Sequence, residues 1–122
     1  MAIAAERALL EILERAIEGH AEEVSLQYEQ GGTEVCYLRD GCGVGSLVPE
    51  RGLITHVVSR ARLGARERGT LRLPVGGRLH TILVEAYENF GETALRLRFG
   101  EAGAGGGAVP RKRGKRNQTR RQ

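Results

Sequence analysis

Glycine punctuation governs what this chain can fold into. Turns at Gln30-Gly31-Gly32, Asp40-Gly41, Gly76-Gly77 and Asn89-Phe90-Gly91 interrupt stretches in which apolar residues alternate with polar ones. A period of two marks a half-buried strand, and a short glycine turn between two such runs makes them antiparallel neighbours. Val24, Leu26 and Tyr28 form the first run, Val35 and Tyr37 the second, and Val44 to Val48 a third. Leu71 and Leu73 begin a fourth, Ile82, Val84 and Ala86 mark a fifth, and Thr93, Leu95, Leu97 and Phe99 a sixth.

Two segments carry the other period. Leu9, Leu10, Leu13, Ala16 and Ile17 recur at helical spacing among Glu6, Glu11, Glu14 and Glu18, and Gly19 supplies the stop. Leu53, Ile54, Val57, Val58 and Ala61 make the stripe of a second helix, with Pro49 in its first turn and Gly64 at its end. The element order is αβββαβββ. The expected fold is α+β, with an antiparallel sheet of about six strands and both helices on one face.

Charge divides the chain of 122 residues into two parts. All 15 acidic residues lie at or before Glu101; the first 108 residues carry a net charge of −3 and the last 14 carry +7. The pI of 9.6 therefore describes the end of the chain, not the folded part. Residues 1–100 are expected to be one domain, large enough for one cooperative core. Residues 101–122 turn glycine-rich and then basic, without apolar periodicity, and are expected to be disordered.

Few residues offer chemistry. Cys36 and Cys42 have neither disulfide-framework nor zinc spacing, which fits a reducing compartment. His20, His56 and His80 fall in separate elements without a carboxylate or cysteine at ligand spacing. Ser25 and Ser46 lie in strand-like stretches, not in a nucleophile elbow. Gly114-Lys115 invites comparison with a phosphate loop, but Val109 stands where glycine is required and Arg116 where Ser or Thr is required. No catalysis, cofactor or metal is expected of this chain alone. No apolar run reaches the length of about eighteen residues that crosses a bilayer, and the start MAIAAERALLEILE lacks a basic leader. The expected location is cytoplasmic, with peripheral attachment to an inner membrane left open.

Two groups of basic residues remain. Arg111, Lys112, Arg113, Lys115, Arg116, Arg120 and Arg121 could attract nucleic acid or an anionic membrane nonspecifically, although no aromatic residue accompanies them for base stacking. Arg72 and Arg78 flank Pro74 and Gly76-Gly77 in RLPVGGR, which reads first as turn chemistry. The bend is expected to bring the two arginines together across a hairpin, where they could hold a phosphate or carboxylate. With Arg96 and Arg98 they would form a positive stripe that seeks acidic partner residues.

The motifs GHA, EVSLQ, VCYLRDG, PERGLITHVVSRA, LPVGGR and FGE occur in this order between Gly19 and Glu92. In that order the chain resembles the domain that precedes the motor in type II secretion and type IV pilus assembly ATPases. The family's His and Glu in the first strand are Ser25 and Gln27 here, and its two arginines before Asp-Gly are Cys36 and Leu38. Arg39 does not replace them, because a one-residue shift in a strand sends the side chain to the other face. Asp40, Gly41, Arg78, Gly91 and Glu92 retain the family pattern. After Phe99 there is no Walker loop and no acidic magnesium strand. The resemblance thus implies a free-standing, noncatalytic adaptor or regulator that binds a secretion or pilus motor or its membrane platform, and does not hydrolyse ATP unaided. Two alternatives stay open: a nucleic-acid-associated protein using its basic tail, and a secretion-chaperone-like dimer that binds extended peptides.

Overall fold

In the computed structural model, residues 3–64 and 66–100 are described. The elements are α1 (Ile3–Glu18), β1 (Glu23–Glu29), β2 (Gly32–Arg39), β3 (Cys42–Val48), α2 (Leu53–Arg60), β4 (Arg68–Val75), β5 (Arg78–Asn89) and β6 (Glu92–Phe99). The strands form one antiparallel sheet in the order β3-β2-β1-β6-β5-β4. Each half of the chain is thus a meander, and the pairing of β1 with β6 joins the halves.

Four two-residue turns build the hairpins. Asp40-Gly41, Gly76-Gly77 and Phe90-Gly91 have positive φ at both positions, the backbone whose twist matches the flanking strands. Glycine supplies the second position in each. Phe90 is an unusual first residue, because a bulky side chain at φ 54° is strained, and it is 99% exposed at its hairpin tip.

Register assigns each side chain a face. Val24, Leu26, Val35, Leu71, Leu73, Ile82, Val84, Leu95 and Leu97 alternate onto one side and are buried there. They share one core cluster with Leu9, Ile12, Leu13 and Ala16 of α1 and Leu53, Ile54 and Val57 of α2. Both helices therefore cover the same face, as the period change in the sequence implies. Each fully buried Leu or Val removes enough apolar area from water to contribute about 1.5–3 kcal/mol before entropy is counted. Glu6 ties the helices together, accepting from Arg60 and lying 2.6 Å from His56 Nε2.

The helix ends differ from expectation. The left-handed residue that closes α1 is His20 (φ 58°), not Gly19, with Ala21 N–H donating to Ala16 O and His20 N–H to Ile17 O. Arg62 (φ 56°) closes α2, two residues before Gly64, which is left no helix to end; Leu63 N–H donates to Val58 O and Arg62 N–H to Ser59 O. Both patterns are Schellman motifs, and the second drives Leu63 into the core. Burying that residue fixes the geometry even though arginine precedes it.

Pro49 also stands outside α2, which starts at Leu53 after Gly52. It ends β3 instead, and Thr33 Oγ1, fully buried, donates to Glu50 O at 2.7 Å to fasten the crossing to β2. Pro74 belongs to β4 rather than to the turn. It opposes Leu79 in the pair next to the hydrogen-bonded Val75 and Arg78, so its missing N–H would have pointed off the sheet edge.

Candidate interaction site on the open sheet face

The face without helices is a layer of charged and polar side chains. Arg96 and Arg98 of β6 alternate with the buried Leu95 and Leu97 and therefore lie on it. Their neighbours come from the strands on either side: Glu23 of β1, distant in sequence, and Glu85 of β5, the hairpin partner. Arg96 Nε lies 3.1 Å from Glu23 Oε2 as an ion pair, and its Nη1 donates to Glu85 Oε1 at 3.1 Å. Arg98 Nε donates to Glu23 Oε1 at 3.1 Å, and Arg68 Nη2 reaches Glu85 Oε2 at 3.7 Å. Arg96 also lies over the Tyr87 ring, 4.7 Å from its centre. Partial burial works against the Arg96 charge, but the Glu85 hydrogen bond and the Glu23 and Glu85 carboxylates outweigh it and raise its pKa.

At the start of β4 this network opens into a cavity of about 710 Å³. Arg62, Arg66, Arg68, Arg96 and Arg98 line it, and Glu85 is the one carboxylate among the described lining residues. Arg62 and Arg66 come from the connection between α2 and β4, with Arg62 set by the Schellman turn. Their spacing in the sequence carries no strand or helix period, so nothing local marked them as site residues. Glu23 was equally hidden, because its role depends on β1 and β6 being neighbours, whereas Glu85 opposes Arg96 directly across the β5–β6 hairpin.

The expected four-arginine stripe is only partly assembled. Arg72 pairs with Thr81 on the open face, one row beyond Arg98 and Leu83, whereas Arg78 opposes the inward Val75. The two hairpin arginines therefore lie on opposite faces and form no joint anion grip. This parity follows from the two-residue turn: Leu71, Leu73 and Val75 point inward, so Arg72 points outward and Arg78 does not.

The positions that depart from the secretion-ATPase pattern cluster elsewhere on the open face. Ser25 opposes Cys36, Gln27 opposes Glu34, and Leu38 opposes Glu23. Positive charge is thus concentrated on the β4–β6 half. His56 pairs with Glu6, and His80 packs edge-on against Phe99 with ring centres 6.4 Å apart. Cys36 and Cys42 are free thiols, and among the described residues no three His, Cys, Asp or Glu side chains converge as metal ligands. No helix among the described residues is long and apolar enough to cross a membrane. Arg111, Lys112, Arg113, Lys115, Arg116, Arg120 and Arg121 lie outside the described residues.

No family model and no curated protein matches this chain.

Proposed function

We propose that this protein is a noncatalytic adaptor that docks an acidic surface of a protein partner against the β4–β6 half of its open sheet face. The arginine-lined cavity is the observation that carries this reading: five guanidinium groups line it, and although Glu23 and Glu85 pair with Arg68, Arg96 and Arg98, Arg62 and Arg66 lie outside that network. Such an excess of one sign steers and orients a partner of the other. Planar guanidinium groups also suit bidentate contact with carboxylates. The ordered motifs from GHA to FGE favour a secretion or pilus motor, or its membrane platform, as that partner.

The test is capture from the native cell with the wild-type chain and with Arg62→Glu/Arg66→Glu, two exposed positions outside the ion-pair network. A motor or platform subunit recovered with the wild type and lost with the variant supports the adaptor. Recovery of unrelated proteins, or equal recovery by both chains, refutes it.

The same cavity favours a second reading, because arginines that hold carboxylates also hold phosphates. Gly100 N–H donates to Thr81 O beside the Arg72 row, so the segment that leads to the basic end departs from this half of the sheet. A nucleic-acid-associated protein would bind labelled single-stranded DNA with a steep salt dependence, lost on removal of residues 109–122.

A further inference from the structure

The two outer strands of the sheet are defended very differently. β4 carries Arg68, Arg72 and Pro74, the charges and proline that keep a free edge from pairing. β3 reads CGVGSLV, with no charge and no proline, and every residue before Val48 is exposed. Val44 and Leu47 are 72% and 52% exposed. Arg39 and Cys42 flank a two-residue turn, so Cys42, Val44, Ser46 and Val48 exchange backbone hydrogen bonds with β2. Gly43, Gly45 and Leu47 are left with their N–H and C=O groups directed off the edge.

We propose that β3 pairs antiparallel with β3 of a second copy of this chain, about a twofold axis through Gly45, to give one continuous sheet. Three features select this occupant and register. The outward residues are symmetric about Gly45: Gly43 meets Leu47 of the second copy, Gly45 meets Gly45, and Leu47 meets Gly43. Every outward donor then finds an outward acceptor. Each exposed Leu47 side chain also lies on the open face beside a Gly43 that has no side chain, where it meets the Cys36 thiol and Leu38 that lean over that glycine, an apolar contact.

The third feature is closure. A strand from an unrelated protein would satisfy the same groups, but a self-complementary edge needs no other partner and reacts at the chain's own concentration. Because β4 is blunted, a β3–β3 pair has no second open edge on which to grow. It stops at two copies instead of extending into fibres. The interface lies at the opposite end of the strand order from the arginine cavity, so a dimer would present two such cavities.

Light scattering coupled to size exclusion on the full chain reads the outcome directly. The expected mass is twice the 13.3 kDa of one chain, falling to one chain in Val44→Lys/Leu47→Lys with an unchanged far-ultraviolet circular dichroism spectrum. A single-chain mass for the wild type at high micromolar concentration overturns the proposal. So does a folded lysine variant that remains dimeric.

A second variant covers the case in which the lysine variant does not fold. A Cβ at Gly45 meets nothing closer than 3.7 Å, so Gly45→Cys fits the fold; it is made in a Cys36→Ser/Cys42→Ser background, because Cys36 opposes Gly45 on β2 and would otherwise capture the new thiol within the chain. Two such thiols across the twofold fall within disulfide reach. Mild oxidation is expected to give a covalent dimer that thiol reductant dissolves. A folded Gly45→Cys protein that stays a single chain under oxidation overturns the register and the pairing together.

Discussion

Arg96 and Glu23 meet at 3.1 Å across the seam where β6 lies beside β1. Register sets them diagonally, since Ser25 opposes Arg96 and Glu23 opposes Arg98. One carboxylate therefore serves two arginines and fastens the two halves of the chain together on the solvent side of the sheet. Replacing it isolates that contribution. Glu23→Gln is expected to lower stability by about 1 kcal/mol, the size of a charge-assisted surface network with partial screening. Urea denaturation at low and high salt checks this, and the difference should shrink as salt rises.

Phe90 supports a cleaner test of backbone strain, because it is almost fully exposed and little packing is lost on replacement. Its φ of 54° is tolerated far better by asparagine at the first position of this turn type. Phe90→Asn should raise stability by about 0.5–1 kcal/mol. A lower melting temperature for that variant would show that the ring is held by contacts that its exposure denies.

The core offers the opposite sign. Leu95 is fully buried, opposite Leu26 and Ala86 on the strand that joins both meanders. Leu95→Ala is expected to cost about 2–5 kcal/mol through lost burial and the cavity left behind. Denaturant titration should show the loss as an earlier midpoint with a similar slope.

Tyr37 provides a pH dependence. Burial raises its phenol above the ordinary value of 10.0, with the Arg15 charge pulling the other way. The folded state then holds the phenolic proton more tightly than the unfolded chain does. Stability from this group is complete below the unfolded value and falls as pH rises through and beyond it toward the folded one. Ultraviolet titration should show a tyrosine step displaced above the ordinary value, and Tyr37→Phe should remove both that step and its share of the alkaline destabilisation.

The arginine positions separate by face. Arg78→Ala is expected to leave partner capture unchanged, because Arg78 points away from the open face, while Arg62→Glu/Arg66→Glu abolishes it. Quantifying captured motor or platform subunit in parallel reads both. Loss of capture with Arg78→Ala at an unchanged melting temperature would move the docking site to the helix-bearing side.

Local physics made much of this protein legible from its residues. Helical spacing from Leu9 to Ile17, alternation such as Thr93, Leu95, Leu97 and Phe99, and the glycines of the tight turns act over a few positions. They determined the αβββαβββ order and the buried face. The parting of Arg72 from Arg78 runs against the expectation that the bend brings them together, although the parity of a two-residue turn already required it. The closures at His20 and Arg62 were not legible there, because packing Ala21 against the core and burying Leu63 in it overrode the preference for glycine. Nor was the interaction surface. Only the placement of β6 beside β1 brought Glu23 to Arg96 and Arg98, and only the path from α2 to β4 set Arg62 and Arg66 beside them. Such contacts depend on which strands become neighbours, a choice made by the whole core at once that no short stretch of sequence encodes.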